Sequence, residues 1–251
     1  IVRTAQDFDN PTFHGGGSGG RIQRISWEGE LQWDFLFSDE GHMQHHDIAC
    51  LPNGNVLMIA WEFKTDEEAL AAGRDPSTLG EEGVWPDTVI EVKPAGETDG
   101  EIVWEWHLWD HLIQDHDEEK LNFGEVGAHP ELVDINHAAR GGGDWNHTNS
   151  INYNAKLDQV TISVRTFNEL WVIDHSTTTE EASGHEGGER GRGGDILYRW
   201  GNPSNFNRGN AADHVLWNVH GVNWIDEGLP GEGNLLLFNN GNDDEMSDLI
   251  E

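Results

Sequence analysis

Fourteen histidines are spread over the chain, and three of them open β-rich runs of the same layout. His46 begins HDIACL, followed by the turn PNGN and by VLMIAW. His147 begins HTNSINYN, then AKLD and QVTISVR, and His220 begins HGVNWI, then DEGLPGEG and NLLLFNN. A single histidine at a strand end needs only a loop carbonyl as a partner. Three at matching places in three units point to one shared site. Convergent imidazoles support two chemistries: neutral rings can bind Zn²⁺ or another transition metal. Alternatively, one ring can act as a nucleophile while its neighbours and an arginine stabilise an anionic transition state. Arg165, at the end of the apolar run QVTISVR that follows His147, favours the second: it could reach the same channel, and in a chain with only ten Arg its place there suggests a required positive charge. A salt bridge to one of the many carboxylates is the plain alternative for that arginine. Asn149 follows His147 by two residues, so strict strand alternation puts both on one face. His45 should point the opposite way from His46 and serve from the loop side. A histidine, arginine and asparagine set around one cavity suits a sulfate or phosphate ester.

The elements that must position these residues are short strands joined by turns. RIQRISW and ELQWDFLF form a hairpin about Glu28 and Gly29, and TVIEVK and EIVWEWHL another about Thr98, Asp99 and Gly100. ELWVIDH and DILYRWG pair across a longer loop. Each second strand ends in an aromatic cluster: Trp33 with Phe35, Trp104 with Trp106, Tyr198 with Trp200. The unit is therefore histidine strand, strand, then hairpin, which is the four-stranded antiparallel blade of an all-β propeller. In this parse the chain holds the last two strands of one blade, two whole blades and the first two strands of another. Propellers close with about four to eight blades. Residues 1–251 are thus expected to form a single β-propeller domain that starts and stops in mid-blade, or one whose ring is completed by a second copy as a homo-oligomer. DEEALAAGRD (66–75) reads as a short helix. Residues 110–146 form a long connection of the kind that covers a site, and GGGSGGR and GHEGGERGRGG (184–194) read as flexible tracts.

Composition narrows the function classes. The chain has 251 residues, with 47 acidic against 14 basic side chains and a formal charge of −33. Nucleic-acid binding by phosphate neutralisation needs the opposite sign, and anionic membranes are disfavoured likewise. No apolar run approaches the roughly 18 residues of a membrane span, so membrane insertion is not expected. High net charge can signal disorder, but 12 Trp set in runs such as VLMIAWEF argue for a packed core. Only four of the basic residues are Lys, a surface suited to high salt, where counterions screen self-repulsion. A halophilic habitat and an acidic secreted protein both fit.

Other motifs carry less. Cys50-Leu51-Pro52 begins like a sulfatase sequence, but Gly54 stands where an arginine is needed and PNGN is a turn. Asn146-His147-Thr148 matches a glycosylation sequon at a place too enclosed for a glycan. NGNDDEMSD (240–248) is acidic but lacks the spacing of a calcium loop. The Trp residues serve packing first, and any at the channel mouth could stack on an aromatic ligand.

Together, HHDIACLPNGNVLMIAWE, EIVWEWHLWDHLIQDHD, HPELVDIN, DWNHTNSINYN, NELWVIDHSTTTEEA, GGDILYRWGNP and GLPGEGNLLLFNNG resemble the aryl-sulfate sulfotransferases of the bacterial and archaeal type, from about residue 16 to 242. The resemblance implies a six-bladed propeller, of which about three blades are recognisable here. It also implies a cofactor-free, metal-free ping-pong transfer of a sulfuryl group from an aryl sulfate to a phenolic acceptor through a sulfohistidine. On it, His220 in VHGVNW matches the nucleophile, Arg165 the catalytic arginine, and His147 and Asn149 anion-stabilising positions. His46 matches a further channel histidine, with His45 beside it at the substrate. Many relatives carry Gln and Asp around the nucleophile, where this chain has Val219 and Gly221, and no segment here matches the threonine of a later blade. A periplasmic or extracellular location follows from the same resemblance. A metal-dependent propeller hydrolase and a non-catalytic binding module remain as alternatives.

Overall fold

The computed structural model describes residues 1–138, 142–241 and 246–251. Four residues of the acidic stretch NGNDDEMSD, 242 to 245, lie outside the described residues. Among the described residues sixteen strands dominate, with two short helices and several 3-10 turns. The first sheet has β1 (Val2–Gln6), β2 (Gly20–Ile25) and β3 (Leu31–Leu36), in that order. The second has four antiparallel strands: β4 (His42–Cys50), β5 (Val56–Glu62), β6 (Asp87–Ala95) and β7 (Asp99–His107). A two-stranded parallel pair, β8 (Leu112–Ile113) and β9 (Val133–Asp134), sits in the long connection. The third sheet is again four-stranded: β10 (Thr148–Asn154), β11 (Gln159–Val164), β12 (Glu169–Asp174) and β13 (Tyr198–Trp200). The last has β14 (His220–Trp224), β15 (Leu235–Asn239) and β16 (Asp248–Ile250).

Two complete four-stranded units agree with the sequence, and the arrangement is propeller-like. The terminal sheets each hold three strands rather than two. The additional ones escaped notice because VRTAQ lacks an apolar alternation and DLI spans only three residues.

Packing explains the run VLMIAW, which reads as uniformly apolar because β5 is buried along its whole length. Side chains alternate between faces along a strand. Val56 and Met58 meet Ile22, Trp33 and Phe35 of the first sheet. Leu57 and Ile59 face the other way, into a core shared with Ile151, Val160 and Ile162 of the third sheet. A further cluster joins Leu170 and Val172 to Val219, Val222 and Leu237 of the last. Each sheet therefore packs face to face on the next, and the buried hairpin tryptophans Trp33, Trp104 and Trp106 lie within these layers.

The expected helix forms as α1 (Asp66–Ala71), with Thr65 and Glu68 closing a reciprocal capping box. It stops earlier than the pattern suggests, at Gly73, whose φ of +98° leaves the helical region. A second capping box, Thr178 with Glu181, starts the short helix α2 (Thr179–Ala182) inside the loop between β12 and β13. Among the described residues, no helix is long and apolar enough to cross a membrane.

Candidate active site

The strands β4, β10 and β14 are each irregular at or next to their histidine. The ladder slips between His45 and Ile48, between Thr148 and Ser150, and between His220 and Asn223. Such bulges re-aim side chains. They also revise the expected equivalence. In the third sheet the bulged residue is Asn149, not His147, and His147 lies one step further out, its carbonyl accepting from the Arg165 amide at 3.2 Å. The bulge likewise breaks the alternation that was to put His147 and Asn149 on one face. His46 and His147 both adopt left-handed backbone, with φ of 49° and 52°, a conformation that costs energy in a non-glycine residue and recurs at functional sites.

The rings nevertheless converge. His46 and His147 stand edge to face, with ring centroids 4.6 Å apart, although they come from different sheets. A positive charge on His46 would be opposed by His45, His147 and His220, and one on His220 by Arg165 and His147. The five side chains thus share one electrostatic neighbourhood. A cavity of about 420 Å³, lined by Asp144, Trp145, His147, Arg165 and Thr166 among others, opens beside His147 and Arg165; its lining does not include His46 or His220.

Hydrogen bonds fix how the rings are presented. The Nδ1 of His220 lies 2.6 Å from the Asn218 carbonyl oxygen. A carbonyl only accepts, so Nδ1 carries the proton and Nε2 keeps its lone pair. His147 bonds through Nδ1 to the Asp144 carboxylate, which also accepts from the Trp61 indole at 3.1 Å. His45 is completely buried; its Nε2 donates to Asp87 Oδ1 at 3.0 Å, and its Nδ1 faces His46 Nδ1 at 2.8 Å. With His45 donating from Nε2 alone, His46 donates from Nδ1 to it, which leaves the His46 Nε2 as an acceptor. His45 also stacks on Trp61, with centroids 4.0 Å apart. With both nitrogens engaged and no exposure, His45 acts through His46 and has no nitrogen left for a ligand.

Burial governs the charge states. It pushes His46 down to about 3, aided by the neighbouring imidazoles. It lowers His220 as well, against the raising effect of the Asn218 carbonyl and with the help of Arg165 and His147. Both rings are neutral at pH 7. Arg165 is half-buried, and among the described residues its guanidinium forms no hydrogen bond or ion pair, so the salt bridge considered for it does not form. In a chain of charge −33, an arginine free of carboxylates is an available anion site.

Asn149 is buried; its Nδ2 donates to the Val219 carbonyl at 2.9 Å and its Oδ1 accepts from Ser163 at 2.5 Å. It therefore ties the third sheet to the residue preceding His220. Asn146 of the sequon is fully buried and bonded to Asp87, which excludes a glycan at that side chain.

Asp144, Asp87 and Gly17 were not anticipated. Asp144 precedes His147 by three residues and comes from the long connection. Asp87 opens β6, and its other carboxylate oxygen accepts from the Thr148 amide at 2.5 Å. The glycine tract near the start is not merely flexible. The His46 amide bonds the Gly17 carbonyl at 2.8 Å, and a Cβ on Gly17, at φ +79°, would lie 2.1 Å from the His46 ring. Glycine is required there for close approach.

Comparison with known proteins adds to this geometry. Among solved structures, hydrazine synthase of Kuenenia stuttgartiensis is similar with a TM-score of 0.47 and 10% identity, over 96% of this chain and 53% of that one. The chain thus spans about half the length of that protein. No curated protein matches it. The family model described as Arylsulfotransferase (ASST) matches residues 16–249, most of the sequence and all of the histidine site, and the chain belongs to that family.

Proposed function

We propose that the site transfers a sulfuryl group from an aryl sulfate to a phenolic acceptor, with His220 as the transient carrier. The observation that supports this most directly is a neutral His220, its Nδ1 held by a carbonyl and its Nε2 free, beside the unpaired Arg165. The Nε2 lone pair attacks sulfur. An N–S bond forms, the S–O bond to the aryl group breaks, and the electron pair leaves with the phenolate. Arg165 neutralises charge on the sulfuryl oxygens, which is worth more in an enclosed site than in water. His147, held at Nδ1 by Asp144, hands a proton from Nε2 to the departing phenolate when it is in its imidazolium form. His46 stays neutral and serves as an acceptor beside the His147 ring. A phenol then reverses the sequence: His147 takes its proton, its oxygen attacks sulfur, and the N–S bond breaks. Closure of the sheets into a ring by further blades, and action in the periplasm or outside the cell, belong to the same proposal.

The experiment is to incubate the protein with an aryl sulfate and no acceptor, then to map the adduct by mass spectrometry at neutral to alkaline pH. Sulfation on His220, lost in His220→Ala together with transfer to phenol, is the expected result. Undiminished transfer by that variant would sink the assignment.

A further inference from the structure

Away from the active site, three side chains form a cluster that sulfuryl transfer does not use. His111 closes the 3-10 turn Leu108–His111 after β7, His185 lies on the glycine-rich loop after α2, and Asp195 ends that loop. One ligating atom from each lies within 4.8 Å of the others, the only such grouping among the described residues. The Asp195 Oδ1 atom is 3.0 Å from His111 Nδ1 and 2.7 Å from His185 Nδ1.

The proton arrangement is informative. His111 is fully buried and its Nε2 lies 2.9 Å from the Ala182 carbonyl, so Nε2 carries a proton. Its Nδ1 atom is thus the one turned toward the Asp195 carboxylate, and a cation seated between them would be held by both. Zinc-ligating histidines typically donate their other N–H to a carbonyl or carboxylate, which is what the Ala182 carbonyl provides. Tetrahedral Zn²⁺ with bonds of about 2.0–2.1 Å holds its ligand atoms roughly 3.3 Å apart, so the two spacings to the Asp195 oxygen need only slight widening. The support is rigid: Trp106 stacks on His111 at 5.7 Å, and its indole donates to the Gly194 carbonyl at 2.7 Å. Gly194 approaches so closely that a Cβ there would lie 2.6 Å from His111 Nε2. His185 is exposed, leaving a fourth position open to water.

We propose that His111, His185 and Asp195 bind a divalent transition metal of the zinc type, which pins the glycine-rich loop 184–194 of the third sheet to the turn that leaves the second. The site is structural and separate from the histidines that carry the sulfuryl group.

The test is a Zn²⁺ titration of the EDTA-stripped, dialysed chain by calorimetry, with Co²⁺ absorption reporting a tetrahedral site and a protease digest reporting protection of the loop. One equivalent is expected to bind, with affinity falling at least about 100-fold in His185→Ala and Asp195→Asn and unchanged in His220→Ala. His185 is exposed, so His185→Ala decides the matter even if Asp195→Asn fails to fold. No binding to the unsubstituted chain, equal binding by His185→Ala, or loss of binding in His220→Ala would each overturn the proposal.

Discussion

The Nδ1 atom of His220 is 2.6 Å from the carbonyl oxygen of Asn218, two residues earlier in its own chain. That contact selects the tautomer without a carboxylate, so His220 gains orientation and no compensating negative charge. Burial and Arg165 then lower its affinity for protons below the ordinary value of 6.5. The acid limb of kcat/KM is expected at a midpoint below 6.5, because only protonation of Nε2 silences the nucleophile. A pH–rate profile with an aryl sulfate checks it, and an acid limb above 7 would contradict the neutral ring.

Arg165 is expected to matter through its charge and its planar fork. Replacement by Met should lower kcat by about 10²- to 10³-fold, the scale for loss of one oxyanion donor. Lys should recover only part of it, since an ammonium lacks bidentate geometry. Steady-state assays of both variants, with melting temperatures as a control, measure this.

Asp87 holds His45, and His45 holds His46. Asp87→Asn turns one of the two acceptor oxygens into a donor, which then faces either the His45 Nε2 proton or the Asn146 and Thr148 N–H groups and leaves buried groups mismatched. A stability loss of about 1–3 kcal/mol is expected for an unsatisfied buried partner, alongside a fall in kcat larger than any change in KM. Denaturant melts and kinetics on the same preparation separate the two effects.

Buried histidines make the fold acid-sensitive. His46 and His137 are pushed by burial from 6.5 to about 3 and about 4. Between those values and 6.5 the unfolded chain binds protons that the folded one refuses. Their stabilising contribution is therefore complete above 6.5 and is lost as pH falls toward 4. His107 and His175 are raised by Glu62 and Glu91 and act in the opposite sense, their contribution fading as pH rises. His137 lies outside the catalytic set, and His137→Gln should flatten the slope of melting temperature between pH 6.5 and 4.

With a net charge of −33, self-repulsion opposes the folded state. Screening lengths drop from about 10 Å at 0.1 M salt to about 3 Å at 1 M. Melting temperature should rise with KCl over that range, and a flat or falling curve would argue against a surface adapted to salt.

Much of this architecture was legible in the residues. The hairpins and the two complete sheets follow from alternation and turn chemistry, which are local. What escaped was non-local or irregular. Asp87 lies forty-two residues from His45, and nothing in its neighbourhood marks it. Asn149 shifted its role because a bulge adds a residue where simple alternation assumes none. The opening glycines read as slack, because a close approach is invisible until the ring it accommodates is known.

The joints between sheets lie directly beside the bulges. Asp47 accepts the Ile151 amide at 3.2 Å, and one sheet further on Ser150 accepts the Val222 amide at 2.9 Å. The angle between neighbouring sheets is thus gauged at the residues adjoining those that aim the rings. Any tilt of a sheet is therefore carried directly to the cluster of rings, which registers how one sheet is set on the next.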